Sequence, residues 1–503
     1  MLGYQQEWIN AVPTSVGRRL RAVLSALDDA GVAHAYWKAS RRLTAVLDGD
    51  GDYDLLVRPG ERSRWQPLLE EAGFVPTLPR PALRVDGLWH YIAAAGDGEP
   101  GVAWLHVHEA PLSGIPGVWG YQLGTAADLL AHRERDAATG VVRLSRELEA
   151  TVLLLRAFTE PKLRFRGGEL IDRARADLEH AWLLSEPAAL EVALRAFGSE
   201  ALADHLLELH STGRSPADPL ELHRLRGLFA EVLPRYRRLS RGRIALGRSL
   251  ERLAYLWRRA RGRRPRGHRL ERGVFVAVVG PDGAGKSTLV EELRRWLVPP
   301  LEVHTTYLGK GSVVADAWQG AAALKWRLIK ARTGRDQPQP GPGQKSSIDE
   351  PRPSSRQRLF EVDRVAQAFR QMRRARRARK QADAGHLVFA DRFPHHQERY
   401  GAGPAIQIED HSSRWTRALA ALERRLLDHT VSRYGPDVIL RLAIPAESAW
   451  HRKPEHNVAE IRRKVEALDR LSYPGATMIV LDASRPPEEV ARKARHLLWS
   501  LYP

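Results

Sequence analysis

The chain has 503 residues, enough for two to four domains, each with its own core. It contains no cysteine, which excludes disulfides and thiolate metal sites, and no stretch approaches the ~20 apolar residues of a membrane span. Its formal net charge of +19 favours anionic partners. The opening "MLGYQQEWINAVPTS" lacks the basic-then-apolar order of a signal peptide, and a cytoplasmic location is expected. The positive charge is densest in "RYRRLSRGRIALGRSLERLAYLWRRARGRRPRGHRLERG" and in "RQMRRARRARKQ". Arginine far outnumbers lysine in a chain rich in Ala, Gly and Pro, so compositional bias is the plain alternative to a polyanionic partner.

Residues 1–140 read as an α+β domain. "GRRLRAVLSALDDAG" is a helix ending at Gly31, followed by short strands near Ala33–Trp37 and Tyr53–Val57, with a further strand in "GVAWLHVHEA". On a strand, Asp52 and Asp54 point to one face, because side chains alternate with a period of two. Carboxylates so placed can hold divalent cations, although D-x-D also occurs in calcium sites and turns. His106 and His108 share a face in the same way.

"YWKASRRLTAVLDGDGDYDLLV" resembles the metal-binding core of nucleotidyltransferase-like domains, with Lys38-Ala39-Ser40 where that family often has a Gly-Ser turn. The resemblance implies Mg²⁺ on Asp52 and Asp54, and a nucleotide contacting Lys38 and Ser40. The family's third carboxylate, on a following strand, is not evident, and "WLHVHEA" offers His106 and His108 instead. An active transferase, a degenerate binding or regulatory domain, and coincidence all remain open.

Residues 141–262 read as helical. The clearest segments are "SRELEATVLLLRAF", which Ser145 can cap, and "ADLEHAWLLSEPAALEVALRAF". "SLERLAYLWRRARGRR" has the pattern of an amphipathic helix suited to an anionic lipid surface. Residues 263–272 read as a basic linker.

From 273 to 503 the order strand, loop, helix, strand recurs, as in a doubly wound parallel α/β domain of the P-loop kind. Val274 to Val279 is an unbroken apolar strand, and Gly280 to Ser287 matches G-x-x-x-x-G-K-S. Gly280, Gly283 and Gly285 let successive N–H groups, with those of Ala284 and Thr288, face one anion. Lys286 can reach the β- and γ-phosphates of ATP, and Ser287 can ligate Mg²⁺. "HLVFADRFPHH" ends a strand in Asp391-Arg392, a carboxylate for Mg²⁺ beside a cation for an anionic acceptor. Arg452, Lys453, Arg462 and Arg463 can close over a transferring phosphoryl group. The turn from Asp482 to Pro487 can back a nucleotide base. Inside this domain, residues around 333–356 are of low complexity and are expected to form a mobile loop.

The matches "GPDGAGKST", "ADRF", "PDVILRLAIPAESAWHRK" and "LDASRPPEEV", in that order, resemble the thymidylate kinase family. The resemblance implies a nucleoside-monophosphate-kinase fold using ATP and Mg²⁺. It assigns acceptor contact or metal support to Asp282, Asp391 and Arg392, and makes the region after Trp450 a LID. Ala284 stands where some members carry a basic residue, so catalytic charge falls to Arg452 and Lys453. The family's Glu-Pro-Gly-Gly-Thr-like stretch is replaced by "HTTYLGKGSVVADAW", which argues against thymidylate as acceptor. Two-module chains of this kind also resemble bacterial proteins tied to polysaccharide loci.

The expectation is a phosphotransferase acting on a small-molecule acceptor, a nucleotide or sugar derivative, fused to a nucleotidyltransferase-like domain. A nucleic-acid-binding ATPase using the basic linker, and a membrane-surface protein, are the rivals. The sequence does not fix the oligomeric state.

Overall fold

A computed structural model describes residues 14–79, 83–115, 117–160, 170–260, 267–298, 300–309, 355–398, 402–410, 412–452 and 458–501. It divides into two compact α/β units. One comprises 1–271 with 296–302 and 495–503, the other 272–295 with 303–494.

The first unit is built on strands β1 (His34–Tyr36), β2 (Asp52–Val57), β3 (Val75–Leu78), β4 (Leu88–Ala94) and β5 (Val102–His108), with a small pair β6 (Leu112–Ser113) and β7 (Tyr121–Gln122) beside them. Strands β8 (Arg133–Arg135), β9 (Val142–Leu144) and β10 (Arg269–Leu270) complete a mixed sheet in the order β10-β3-β4-β5-β2-β1-β9-β8. Two expectations need correction here. The stretch from 141 does not open as helix, because Val142–Leu144 pairs with β1 and β8. Nor is 263–272 only a linker, because Arg269–Leu270 pairs with Thr77–Leu78. Both strands are too short to leave a period-two signature in sequence.

Alternation along the central strands decides what faces where. Tyr53, Leu55 and Val57 of β2, and Ala103, Leu105 and Val107 of β5, join the core under helix Ser15–Asp29. Their even-numbered neighbours face the other side. There Leu56 joins a second core with Leu148, Leu153 and Leu154 of helix Arg146–Thr159 and with the helices that follow it. Ser145 caps that helix as expected, accepting from the Leu148 N–H. Each buried leucine contributes about 1.5–3 kcal/mol of apolar burial, so the helices from 146 are held to the sheet by one continuous core.

The second unit is a five-stranded sheet of β11 (Val274–Val279), β12 (Val303–Tyr307), β13 (Leu387–Asp391), β14 (Val438–Ala443) and β15 (Thr477–Asp482), in the order β12-β13-β11-β14-β15. Every pairing in it is parallel. β11 is central, and its apolar run is buried, as expected for a strand covered on both faces. Helices Ser355–Asp383 and Arg414–Tyr434 pack together. The expected mobile insertion lies outside the described residues except for 355 and 356, which open the first of those helices.

Candidate functional site

Strand β11 delivers the glycine loop to the carboxyl edge of its sheet, where open α/β folds bind ligands. Gly283 and Gly285 both take φ +88°, in the left-handed region. A Cβ on Gly283 would lie 2.5 Å from the Ala449 carbonyl oxygen, so this position admits no side chain. The helix Lys286–Leu297 starts at the loop, with Ser287 and Thr288 exposed in its first turn and Ala284 buried beneath. Lys286 is buried, and its Nζ donates to the Pro281 carbonyl at 2.7 Å.

Asp391 ends β13, in register with Val278 of β11. Its Oδ2 accepts from the Ser287 hydroxyl at 2.5 Å, while its Oδ1 is buried without a partner. Ser287 and Asp391 offer oxygens alone, a donor set that could hold a hard divalent cation such as Mg²⁺.

Asp282 gathers the cations of the loop. Arg392 Nη2 lies 2.6 Å from Oδ1, Lys464 Nζ 3.1 Å from Oδ2, and Lys286 Nζ 4.0 Å from Oδ1. Burial acts to raise the Asp282 pKa, but Arg392 and Lys464 more than offset it and hold the carboxyl below its ordinary range. Burial acts to lower the Lys464 pKa, but Glu460 and Asp282 more than offset it and raise it above its ordinary value. Arg392 takes φ +74°, an uncommon and costly conformation for a side chain of this size. The cavity lined by Gly280, Asp282, Arg392, His395, Lys464 and Leu471 holds about 30 Å³, water-sized space, so any larger ligand enters only as these side chains part.

Lys464 was missed by the sequence reading, which named Arg462 and Arg463. Helical period settles the difference. Ile461, Lys464 and Leu468 share one inward face of helix Val458–Asp469, whereas Arg462 pairs on the surface with Glu447 and Arg463 is exposed. Arg452 donates to the Ala483 carbonyl at 3.0 Å, and Lys453 lies outside the described residues. Asp482 is exposed and accepts from the Ser484 N–H at 3.0 Å and the Ser484 hydroxyl at 2.5 Å. Lys286, Asp282, Ser287, Asp391 and Arg392 therefore converge, while Arg452, at the end of helix Ala446–Arg452, and Asp482 are bonded to the turn that follows β15.

In the first unit, the even-numbered face of β2 and β5 meets helix Arg146–Thr159 around a cavity of about 490 Å³. Parallel register pairs Asp54 with His106 and Leu56 with His108. Asp54 Oδ1 lies 2.8 Å from Lys38 Nζ and 2.9 Å from His108 Nε2, and His106 Nδ1 lies 3.0 Å from Asp52 Oδ2. Burial favours a protonated Asp54, yet Lys38, His106 and His108 hold its pKa well below the ordinary carboxylate range. Burial also lowers Lys38, against the pull of Asp54. His106 is raised because Asp52 and Asp54 outweigh its burial, whereas burial beside Lys38 lowers His108 to about 3.

Ser40 does not face this cavity as expected. Its N–H and hydroxyl both donate to the Glu149 carboxylate, behind the left-handed Ala39. Arg156, bonded to Glu160 at 2.8 Å, and the rings of His90, Trp104, Trp119 and His268 line the cavity too. Nothing local in the sequence marks them, because distant segments bring them together.

No family model matches the chain. The "Uncharacterized ATP-binding protein YghR" of Escherichia coli K12 is 30% identical to it over 224 residues, 44% of this chain and 85% of that protein. The "Uncharacterized ATP-binding protein YghS" of the same strain is 26% identical over 224 residues, 43% of this chain and 88% of that protein. At the identity and coverage of YghR, the chain belongs to the family of these ATP-binding proteins.

Proposed function

We propose that the second unit is a P-loop kinase that binds ATP and moves its γ-phosphoryl group to a small acceptor, a nucleotide or sugar derivative other than thymidylate. The observation that carries this reading is the Ser287–Asp391 pair at the mouth of the glycine loop, with the orphan Asp391 Oδ1 beside it. Mg²⁺ held there would neutralise phosphate charge. The loop N–H groups and Lys286 bind the phosphates of ATP. Arg392 and Lys464, released from Asp282, meet the acceptor and the charge developing on the phosphoryl group. The ATP-binding names of YghR and YghS support the nucleotide, and the parallel order around β11 supports the fold.

The test is incubation of the full chain with γ-labelled ATP and panels of nucleotides, nucleosides and sugar phosphates. Label on an acceptor, lost in Lys286→Ala, is expected. Release of phosphate alone, stimulated by polynucleotide and steeply weakened by salt, would replace the kinase with an ATPase acting on nucleic acid.

A second reading concerns where the chain works. No helix among the described residues is long and apolar enough to cross a membrane. Helix Arg241–Ala260, however, leaves Leu246, Leu250, Leu253, Leu256 and Trp257 half or more exposed along one stripe, flanked by exposed Arg248 and Arg252. We propose that this helix lies on anionic lipid, its stripe among acyl chains and its arginines at the headgroups. The chain should sediment with phosphatidylglycerol vesicles and not with phosphatidylcholine ones. Leu250→Asp with Leu253→Asp should abolish this, and retention by the variant would sink the reading.

A further inference from the structure

The carboxylate pair of the first unit resembles a Mg²⁺ site, but its surroundings do not fit one. Mg²⁺ takes oxygen ligands in near-octahedral geometry. Here the strand beside the two aspartates brings imidazoles, not a third carboxylate, to the point where the carboxylates converge. One ligand atom from each of Asp54, His106 and His108 lies within 4.8 Å of the other two. The His108–Asp54 separation is 2.9 Å and the His106–Asp54 separation 3.6 Å. Ligands at ~2.0–2.1 Å from a tetrahedral ion stand ~3.3 Å apart, between these two values.

The hydrogen bonding is frustrated as it stands. Lys38 Nζ lies 2.8 Å from Asp54 Oδ1 and 3.4 Å from His108 Nε2. If His108 Nε2 carries a proton, it serves Asp54 but points a donor at an ammonium. If it does not, it serves Lys38 but sets a lone pair against a carboxylate 2.9 Å away. A cation at the point of convergence resolves both conflicts, because every lone pair then faces it. The far ring nitrogens, His106 Nε2 and His108 Nδ1, are buried and unpartnered.

We propose that Asp54, His106 and His108 form a site for a single borderline divalent ion such as Zn²⁺ or Co²⁺, with Asp52 or a water as the fourth ligand. Lys38 is its internal competitor. Two imidazoles and a carboxylate select such ions over Mg²⁺. His106, at the register position of Asp54 on β5, is the residue that moves the preference away from an all-oxygen site. Metal entry turns the Lys38 ammonium away from Asp54, so lysine occupancy and metal occupancy exclude each other.

The experiment is Co²⁺ titration of the full-length, chelator-stripped chain without nucleotide, followed by its visible d–d absorption. Bands of tetrahedral intensity are expected, persisting in a large excess of Mg²⁺. His106→Ala and His108→Ala should each weaken binding by about tenfold to a hundredfold or more. Lys38→Met should strengthen it by about tenfold or more, since a like charge a few ångströms away is removed. His106→Asp should shift preference toward Mg²⁺ and Mn²⁺. The gain in Lys38→Met keeps the test informative even where a histidine variant fails to fold. Absence of bands in both wild type and Lys38→Met would overturn the proposal. So would bands that survive loss of both histidines, or displacement of Co²⁺ by equimolar Mg²⁺.

Discussion

Two carboxylates, Asp54 and Asp282, each sit at the centre of a cluster of basic side chains, and the clusters are built differently. Asp54 is on a central strand, and two of its partners come from the adjacent strand in fixed parallel register. Asp282 is in a loop, and Lys464 reaches it from helix Val458–Asp469 and Arg392 from a strand end. The first cluster can exchange only its cation, because its ligands cannot part. The second can open by side-chain rotation, because Lys464 reaches in from a helix and Arg392 from a strand end, not from within the sheet. The contrast suits a cation site in the first unit and a site in the second where an incoming anion takes over the cations.

The largest expected effect tests the rigidity of the first cluster. Asp54→Ala leaves Lys38 buried without its carboxylate, a loss of about 3–5 kcal/mol in stability. Adding Lys38→Met should recover most of it. Asp282→Ala should cost only about 1 kcal/mol, because Arg392 and Lys464 can reach water. Chemical denaturation in chelator, followed segment by segment through hydrogen exchange, measures both. Equal losses would erase the distinction.

The second effect tests function where the first tests stability. Lys286→Ala should lower phosphoryl transfer about a hundredfold or more, ~3 kcal/mol, with little change in the melting of the second unit. Unchanged turnover would remove the kinase reading.

The difference between the clusters also explains what the sequence showed. The glycine loop is contiguous, so Lys286, Ser287 and the positive-φ glycines were legible from spacing alone, as were Asp391 at its strand end and Asp52 with Asp54 on one face. Lys464 was hidden by its basic neighbours, although the buried Ile461 one helical turn before it gives the face away. His90, His268 and Arg156 come from three separate segments and leave no local pattern, and β9 and β10 are too short for one. Ser40 was misassigned because its partner, Glu149, is 109 residues away.

A smaller effect tests whether Arg392 faces an acceptor. Its guanidinium now bonds Asp282 at 2.6 Å beside the water-sized cavity. Arg392→Ala should raise the acceptor KM about tenfold, ~1.4 kcal/mol, while the ATP KM changes far less. Matching losses for both substrates in steady-state kinetics would place Arg392 on the nucleotide side.

The smallest effect is in pH and separates the units by sign and window. Burial holds His34 and His90 below their ordinary values, lowers His108 to about 3 and, with His106 beside it, lowers His268 to about 4. The unfolded chain takes protons on these rings near pH 6.5 and the folded chain does not. Stability of the first unit is therefore full above that value and falls as pH drops from about 6.5 toward 4. His106 has the opposite sign: its pKa is raised, so its contribution is present below its ordinary value and lost as pH rises through the raised one. It offsets part of the loss. Asp282 is depressed, so its contribution to the second unit is present above the ordinary carboxylate value and lost only below about pH 4. Between pH 7 and 6 in chelator, each strongly depressed ring costs ~0.7 kcal/mol and His106 returns part of one, so the first unit should lose on the order of 1 kcal/mol and the second essentially nothing. Hydrogen exchange of the strands Asp52–Val57 and Val274–Val279 compares the two directly. A second unit that weakens first on mild acidification would show that histidine burial does not set the acid sensitivity of this chain.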